Sequence, residues 1–276
     1  MIEPCTIRPF ETTEEYHECV ALQEATWGGG FTERVSPAIL QVAQILGGIS
    51  AGAYDASGRL VGFVFGLTGV RDGRVVHWSD MLAVRPELRD TGLGRRLKAY
   101  QRAELLARGI DTMFWTFDPL QSRNAHLNIT RLGAIVREYR INMYGDTDSP
   151  LHRGIGTDRF VASWLMDTER VRARLAGVEP EPMEEAPFAL DAEGAGTGDH
   201  PRPGLLDLSL ANGPVRVAIP SGVDNLMDAD LELAVAWRTA SRAVFEHYFA
   251  AGYEVTGFAR GEPTSSYYLT KAMDQE

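Results

Sequence analysis

The chain is poor in cysteine. Cys5 and Cys19 are the only two among 276 residues, and no Cys-x-x-Cys is present. Two thiols cannot make a disulfide framework, so a small stapled extracellular scaffold is excluded. Long hydrophobic runs are also missing. The longest, Leu60 to Val70, is 11 residues interrupted by glycines, short of the roughly 18 a membrane span needs. The first residues, Met1-Ile-Glu-Pro-Cys-Thr, lack the basic and apolar regions of a signal peptide. Positive charge is in deficit: 27 Lys and Arg stand against 38 Asp and Glu, a net charge of −11. Nucleic acid is a poor partner for such a chain. The six histidines, His17, His77, His126, His152, His200 and His247, are scattered singly, without the spacing of a zinc site. These absences predict a reducing cytoplasm, no membrane, no nucleic acid, no metal, and two buried, inert thiols.

What is present is ordinary globular usage, 44% hydrophobic and 24% charged, enough for a sizeable core. Thr6 to Phe10 reads as a strand. Thr12 or Thr13 caps a helix to Trp27, and Ser36-Pro37 opens a second helix to Gly47-Gly48. Strands follow at Ile49–Tyr54, Leu60–Leu67 and Val75–Val84, then a glycine-bearing loop and a helix from Arg95 to Arg108. Met113–Phe117 is a strand and Ser122–Leu132 a helix. Ala134–Met143 and Arg159–Met166 are strands. Three successive strands without crossover helices predict a mixed, mostly antiparallel sheet flanked by helices, an α/β (α+β) fold, not a doubly wound one.

Gly177 to Pro203 holds 5 of the 14 prolines and seven acids against Arg202, and reads as an acidic linker. The expected division is 1–176, a linker at 177–203, and a C-terminal α/β extension at 204–276. In that extension a strand at Val215–Ile219, a long helix, and strands at Tyr253–Phe258 and Tyr267–Thr270 form β-α-β-β. The order repeats Met113 to Met166, which suggests an internal half-repeat.

Chemistry concentrates in Leu82-Ala-Val-Arg-Pro-Glu-Leu-Arg-Asp-Thr-Gly-Leu-Gly-Arg-Arg-Leu97. A strand ends, a loop passes through Gly92 and Gly94, and a helix begins. Glycines let backbone amides converge without Cβ interference, and the helix N-terminus behind them adds about half a positive charge. The pair suits a phosphate or pyrophosphate. Residues 85–108 carry seven basic side chains against three acidic ones. A dinucleotide loop would need a third glycine where Leu97 stands, and a P-loop would need Gly-Lys-Ser/Thr. Both are excluded.

Arg89-Asp-Thr-Gly-Leu-Gly94 resembles the Arg/Gln-x-x-Gly-x-Gly/Ala signature of the GCN5-related N-acetyltransferase (GNAT) superfamily. Ala83-Val-Arg-Pro86 and the order of elements from Thr6 to Met166 support the likeness. It implies acetyl-CoA or another acyl-CoA as co-substrate. The backbone of Arg89, Asp90, Thr91, Gly92, Leu93 and Gly94, with Arg95, would hold its pyrophosphate. Leu82 and Val84 would pair with the pantetheine arm where the sheet splays, and Asn124 would serve the adenine side, with Ser122 where the family often has asparagine. Trp115-Thr-Phe-Asp-Pro-Leu120, Arg123-Asn124, Ala236-Trp-Arg238 and Phe249 to Tyr253 resemble a bacterial branch with a C-terminal extension. Some of its members accompany N-succinylamino acid racemases, which implies acetyl or succinyl transfer to the amine of a small molecule, such as an amino acid.

Asp80 is the base candidate, two residues before Leu82 and on the same face by strand alternation, with His77 on the other. The tyrosine that many family members use as general acid is replaced by Ile129; either Tyr139 or Tyr144 substitutes from the next strand, with Tyr144 taken as catalytic, or the thiolate leaves without a dedicated acid. Arg140, Asn142, Arg153 and Arg159 are candidates for binding a substrate carboxylate. The missing tyrosine keeps open a non-catalytic acyl-CoA-binding or interaction module. The extension would wall the acceptor pocket or form a homodimer surface. Gly48-Ile-Ser-Ala-Gly52 matches a hydrolase elbow, but with helix before and strand after, the reverse of what an elbow needs. Asn128-Ile-Thr130 and the acids Asp224, Asp228 and Asp230 carry no site.

Overall fold

A computed structural model describes residues 5–28, 31–145, 154–181, 183–194 and 200–272. It divides into two compact units, Met1–Trp115 with Leu165–Asp167, and Thr116–Trp164 with Thr168–Glu276.

The first unit runs β1 (Thr6–Pro9), α1 (Thr13–Trp27), α2 (Pro37–Ile45), β2 (Ile49–Tyr54), β3 (Leu60–Arg71), β4 (Arg74–Val84), α3 (Leu93–Leu106) and β5 (Thr112–Phe117), whose last two residues enter the second unit. The caps are those the sequence predicts. Thr12 accepts from the Glu15 amide and Ser36 from Ile39, with Pro37 in the first turn. Strand order is β1-β2-β3-β4-β5. Neighbours are antiparallel except β4 and β5, which run parallel. Phe10, Tyr16, Cys19, Leu22, Leu40, Phe63, Phe65, Met81 and Ala83 make the core beneath α1 and α2. Both cysteines are buried, and burial pushes the Cys19 thiol up to about 12, so it is unreactive near neutral pH.

The second unit opens with α4 (Ser122–Ala125), which widens into a π turn over His126–Arg131, then β6 (Ile135–Arg140), β7 (Arg159–Leu165) and α5 (Glu169–Leu175). It continues with β8 (Phe188–Glu193), β9 (Arg202–Leu206), β10 (Val215–Pro220), α6 (Val223–Ala229), α7 (Leu231–Ala250), β11 (Tyr253–Ala259) and β12 (Thr264–Lys271). Strand order is β7-β6-β11-β12-β10-β8-β9. Its core is aromatic: Phe160 meets Phe245 at 4.6 Å and Tyr267 at 5.3 Å between ring centroids. Asp230 caps α7, which buries Leu233, Trp237, Arg238, Val244, Phe245 and Tyr248.

The segment expected as a linker holds β8 and the first two residues of β9, in spite of its prolines. Leu190 and Ala189 are fully buried, and Pro203 sits in the outermost strand, where a missing ladder donor costs little. The half-repeat order is present: β10, α6 with α7, β11 and β12 follow one another as β5, α4, β6 and β7 do. Both copies end in an antiparallel strand pair, and β8 runs parallel to β10 as β4 does to β5. The copies meet where Val136 pairs with Val255. No described helix is long and apolar enough to cross a membrane.

Candidate functional site

The glycine loop runs straight into a helix N-terminus. A single 3-10 turn at Pro86–Leu88 leads out of β4. Asp90 and Gly92 then take left-handed backbone, at φ 64° and 87°, and α3 starts directly at Leu93, two residues earlier than expected. Gly92 is the N-cap and supplies no side-chain cap, so the amides of Leu93, Gly94 and Arg95 precede the first helical bond, Arg96 N to the Gly92 carbonyl at 3.1 Å. A Cβ at Gly92 would face open space; glycine is needed there for the backbone angle, not for room. Thr91 closes the turn by donating to the Leu88 carbonyl at 2.7 Å. Arg89 and Asp90 are exposed, Leu82 and Val84 half-buried, and Leu93 buried. Leu82 lies beside Gly94, 3.6 Å from where its Cβ would be.

Upstream, the sheet forks. The ladder between β4 and β5 comprises His77–Met113 and Trp78–Phe114, while β4 runs six residues further to Val84. At the same level β4 carries a bulge. Met81 pairs with Phe65 and Ser79 with Gly66, which leaves Asp80 as the extra residue. Strand alternation does not carry across a bulge, so the shared face expected of Asp80 and Leu82 does not follow from their spacing alone. Met81 and Ala83 belong to the α1–α2 core, whereas His77 and Ser79 turn toward α3. Asp80 is bonded by the Trp78 side chain. It reaches solvent, yet protein crowds its carboxyl. That desolvation, with the charge of Glu33, raises it above the ordinary carboxylate range against the lowering effect of Trp78.

The α3 side of the fork holds a polar chain that sequence reading missed. Lys98 donates to Ser79 Oγ at 2.7 Å, and Ser79 donates to Gln101 Oε1 at 2.9 Å. Gln101 Nε2 meets His77 Nε2 at 3.3 Å, and His77 Nδ1 meets Thr68 Oγ1 at 3.1 Å. Thr68 donates onward to the Gly47 carbonyl at 2.8 Å. Because that hydroxyl proton is committed, the chain runs in one direction, with His77 protonated on Nδ1 and neutral. Burial, followed by the nearby charges of Lys98 and Arg108, lowers His77 to about 3. The ring fits so closely over β3 that a Cβ at Gly66 would stand 2.2 Å from Nε2, which excludes any larger residue.

In the second unit Tyr144 is exposed, its hydroxyl 2.8 Å from Thr116 Oγ1 and the Arg159 guanidinium 5.2 Å from its ring centroid. Tyr139 is committed elsewhere. It donates to Asp158 at 2.5 Å, and burial and that carboxylate push its pKa far up, so it is no proton donor near neutrality. Asp158, fully buried, also takes a two-pronged Arg242 at 2.8 and 2.9 Å and the Asn142 amide at 3.0 Å. It thereby pins the turn that presents Tyr144. Arg159 and Arg238 both face Asp118, at 3.6 and 2.6 Å, and all three are buried. Arg140 is exposed and pairs with Glu138, and Asn142 is exposed. Arg153 lies outside the described residues. Asn124 is exposed on α4, while Ser122 is buried against Ser265 at 2.8 Å. Ile129, in the place of the expected tyrosine, is buried in the π turn. Ser50 of the elbow-like motif is buried and donates to the Leu40 carbonyl at 2.7 Å, a structural bond.

No family profile and no curated protein matches the chain. Among solved structures it is similar to the ribosomal-protein-S18-alanine N-acetyltransferase of Escherichia coli (20% identity, TM-score 0.47, 60% of this chain and 96% of that one). It is also similar to an acetyltransferase of the GNAT family from Streptococcus pneumoniae (19%, 0.47, 58% and 98%). A third is the phosphinothricin acetyltransferase of Sinorhizobium meliloti in complex with AcCoA (16%, 0.47, 58% and 86%).

Proposed function

We propose that this chain is an acyl-CoA-dependent N-acyltransferase that moves an acetyl or succinyl group directly from the thioester to the amine of a small molecule. One observation carries the reading: an uncapped helix N-terminus behind two left-handed loop residues, reached from a strand that outruns its parallel neighbour. The loop offers amides to a pyrophosphate. On its β5 side, the stretch of β4 past Trp78 leaves the ladder and offers backbone to an extended arm with amide groups, such as pantetheine.

In this reading the amine attacks the thioester carbon. A C–N bond forms, the C–S bond breaks, and the electron pair stays on sulfur. The nitrogen gives up its proton to Asp80, directly or through water, and desolvation makes that carboxylate a better base than an ordinary one. The leaving sulfur takes a proton from Tyr144 or departs as thiolate, since a thiol of pKa ~8.5 is a tolerable leaving group.

The test is a thermal melt with acetyl-, succinyl- and free CoA. Ligand at 100 times its Kd adds ~2.7 kcal/mol, and each kcal/mol moves the midpoint ~2–4 °C at this size. A rise with a thioester supports the donor, and the larger rise names the acyl group. No rise at millimolar ligand sinks the reading. A rise without turnover on a panel of amines, in both the parent and Asp80→Ala, favours the binding module.

A further inference from the structure

The polar chain at the fork ends in a charge that the fold does not neutralise. Lys98 is buried, 5% exposed. Its partners are neutral: Ser79 Oγ at 2.7 Å, Met113 Sδ at 3.8 Å and the Trp115 ring, whose centroid lies 4.1 Å from Nζ. No carboxylate pairs with it among the described residues. Burying an ammonium without a counter-ion costs several kcal/mol. A Met or Leu would fill the same place at no such cost.

Its position gives the reason. Ser79 belongs to β4, Met113 and Trp115 to β5, and the two strands pair through His77–Met113 and Trp78–Phe114 before they part. Lys98 therefore spans the apex of the fork, one residue from the Asp80 bulge. A donor whose pyrophosphate sits at Gly92 and whose arm follows β4 backward brings its reactive end to this apex.

We propose that Lys98 is the electrostatic partner of the donor's sulfur: its ammonium offsets the negative charge left on that atom when the C–S bond breaks. The inference rests on the acyl-CoA reading above. No proton need move between the two groups. The electron pair of the broken bond stays on sulfur, and the ammonium stays protonated beside it. Of the titratable groups, His77 on β4 couples to Lys98 and is neutral, and β5 contributes the uncharged Met113 and Trp115. Burial lowers Lys98 to about 7, and negative charge arriving on the sulfur acts against that shift and holds the proton on the amine.

The experiment titrates the thiol of bound CoA by thiolate absorbance, in the parent and in Lys98→Met. Protein saturated with S-methyl-CoA serves as the blank that removes Cys5 and Cys19. The parent is expected to lower the bound thiol by about one unit from its free value near 8.5. Lys98→Met is expected to bind CoA and leave the thiol at or above that value, with kcat about tenfold down and donor KM within about twofold. Lys98→Gln repeats the comparison with a polar side chain should the Met variant fail to fold. Equal titration in parent and variants overturns the inference while leaving the donor reading intact. Failure of the parent to bind CoA overturns the donor reading, and this inference with it.

Discussion

The hydroxyls of Tyr144 and Thr116 meet at 2.8 Å on an exposed turn, while Tyr139, five residues earlier in the chain, donates a hydrogen bond to buried Asp158. The two tyrosines that the sequence offered as substitutes for the missing acid are thus not equivalent. Tyr144→Phe is expected to lower kcat, by up to about 10²-fold if the proton transfer is rate-limiting, with the melting midpoint unchanged. Tyr139→Phe strips Asp158 of one donor and is expected to cost about 1–3 kcal/mol, read as a lower midpoint. Equal stability losses in both variants, with no effect on rate from Tyr144→Phe, would remove Tyr144 from the mechanism.

The cradle makes a prediction that depends on backbone alone. Gly92 has φ 87° and open space where a Cβ would go. Gly92→Ala is expected to cost about 1–2 kcal/mol by forcing an L-residue into left-handed backbone. It should also remove the stabilisation by CoA, because the amides of the first turn move. Gly109, with φ 75° and equal space, is the control. Gly109→Ala should cost a similar amount of stability and leave the CoA response intact. A full CoA response in Gly92→Ala would place the donor elsewhere.

Much of this site was legible in the sequence because the signals are local. Thr12 and Ser36 cap helices through bonds within three residues. The loop from Arg89 to Gly94 is six consecutive residues. The bulge at Asp80 was not legible, because it is a property of the pairing with Phe65 and Gly66 and has no signature of its own in β4. The same holds for Lys98. In sequence it is one basic residue in a basic helix, and its burial depends on Ser79 and Trp115, 19 residues upstream and 17 downstream. β9 hid behind its proline, which an edge strand tolerates, and β8 behind the acidic residues around it.

Asp80 gives a signed pH dependence. Desolvation raises its pKa in the folded chain, so between its unfolded and folded values the folded state holds more protons. Stability conferred by the protonated form is present below the unfolded value and is lost as pH rises through the folded one. Activity runs the other way, because the base must be ionised. The rate is expected to climb with pH through a limb above the ordinary carboxylate range. Asp80→Asn should abolish that limb together with most of the rate. A limb unchanged in Asp80→Asn would assign the base to another group.

Lys98 and His77 act on stability in the opposite sense. Both are lowered in the folded chain, to about 7 and about 3, so the unfolded chain binds more protons wherever the two states differ. The penalty of Lys98 is full below pH ~7 and is relieved as pH rises toward its unfolded value near 10.4. That of His77 grows as pH falls below ~6.5. Denaturant midpoints should therefore rise from pH 7 to 9 in the parent. Lys98→Met should be more stable at pH 7, on the order of 2 kcal/mol, and should lose that rise. A parent with a flat profile over this range would mean that Lys98 keeps its proton through water or a partner from solution.

The ion pair of Asp118 and Arg238 ties the stretch after β5 to α7. Asp118 Oδ1 takes the Leu120 amide at 2.8 Å and Oδ2 takes Arg238 at 2.6 Å, while Arg238 Nε reaches the Ile155 carbonyl at 3.1 Å. Both side chains are nearly free of solvent, so removing one strands the other. Asp118→Asn leaves two buried guanidinium groups, Arg159 and Arg238, without their shared carboxylate, and is expected to cost about 3–5 kcal/mol. Arg238→Met strands a carboxylate that still has Arg159 at 3.6 Å, and should cost less. The double variant should recover part of the loss, because two neutral groups of similar size need no counter-charge. A double variant no better than Asp118→Asn alone would show that the pair is needed for the arrangement of Ile155 and α7, and not only for its charge.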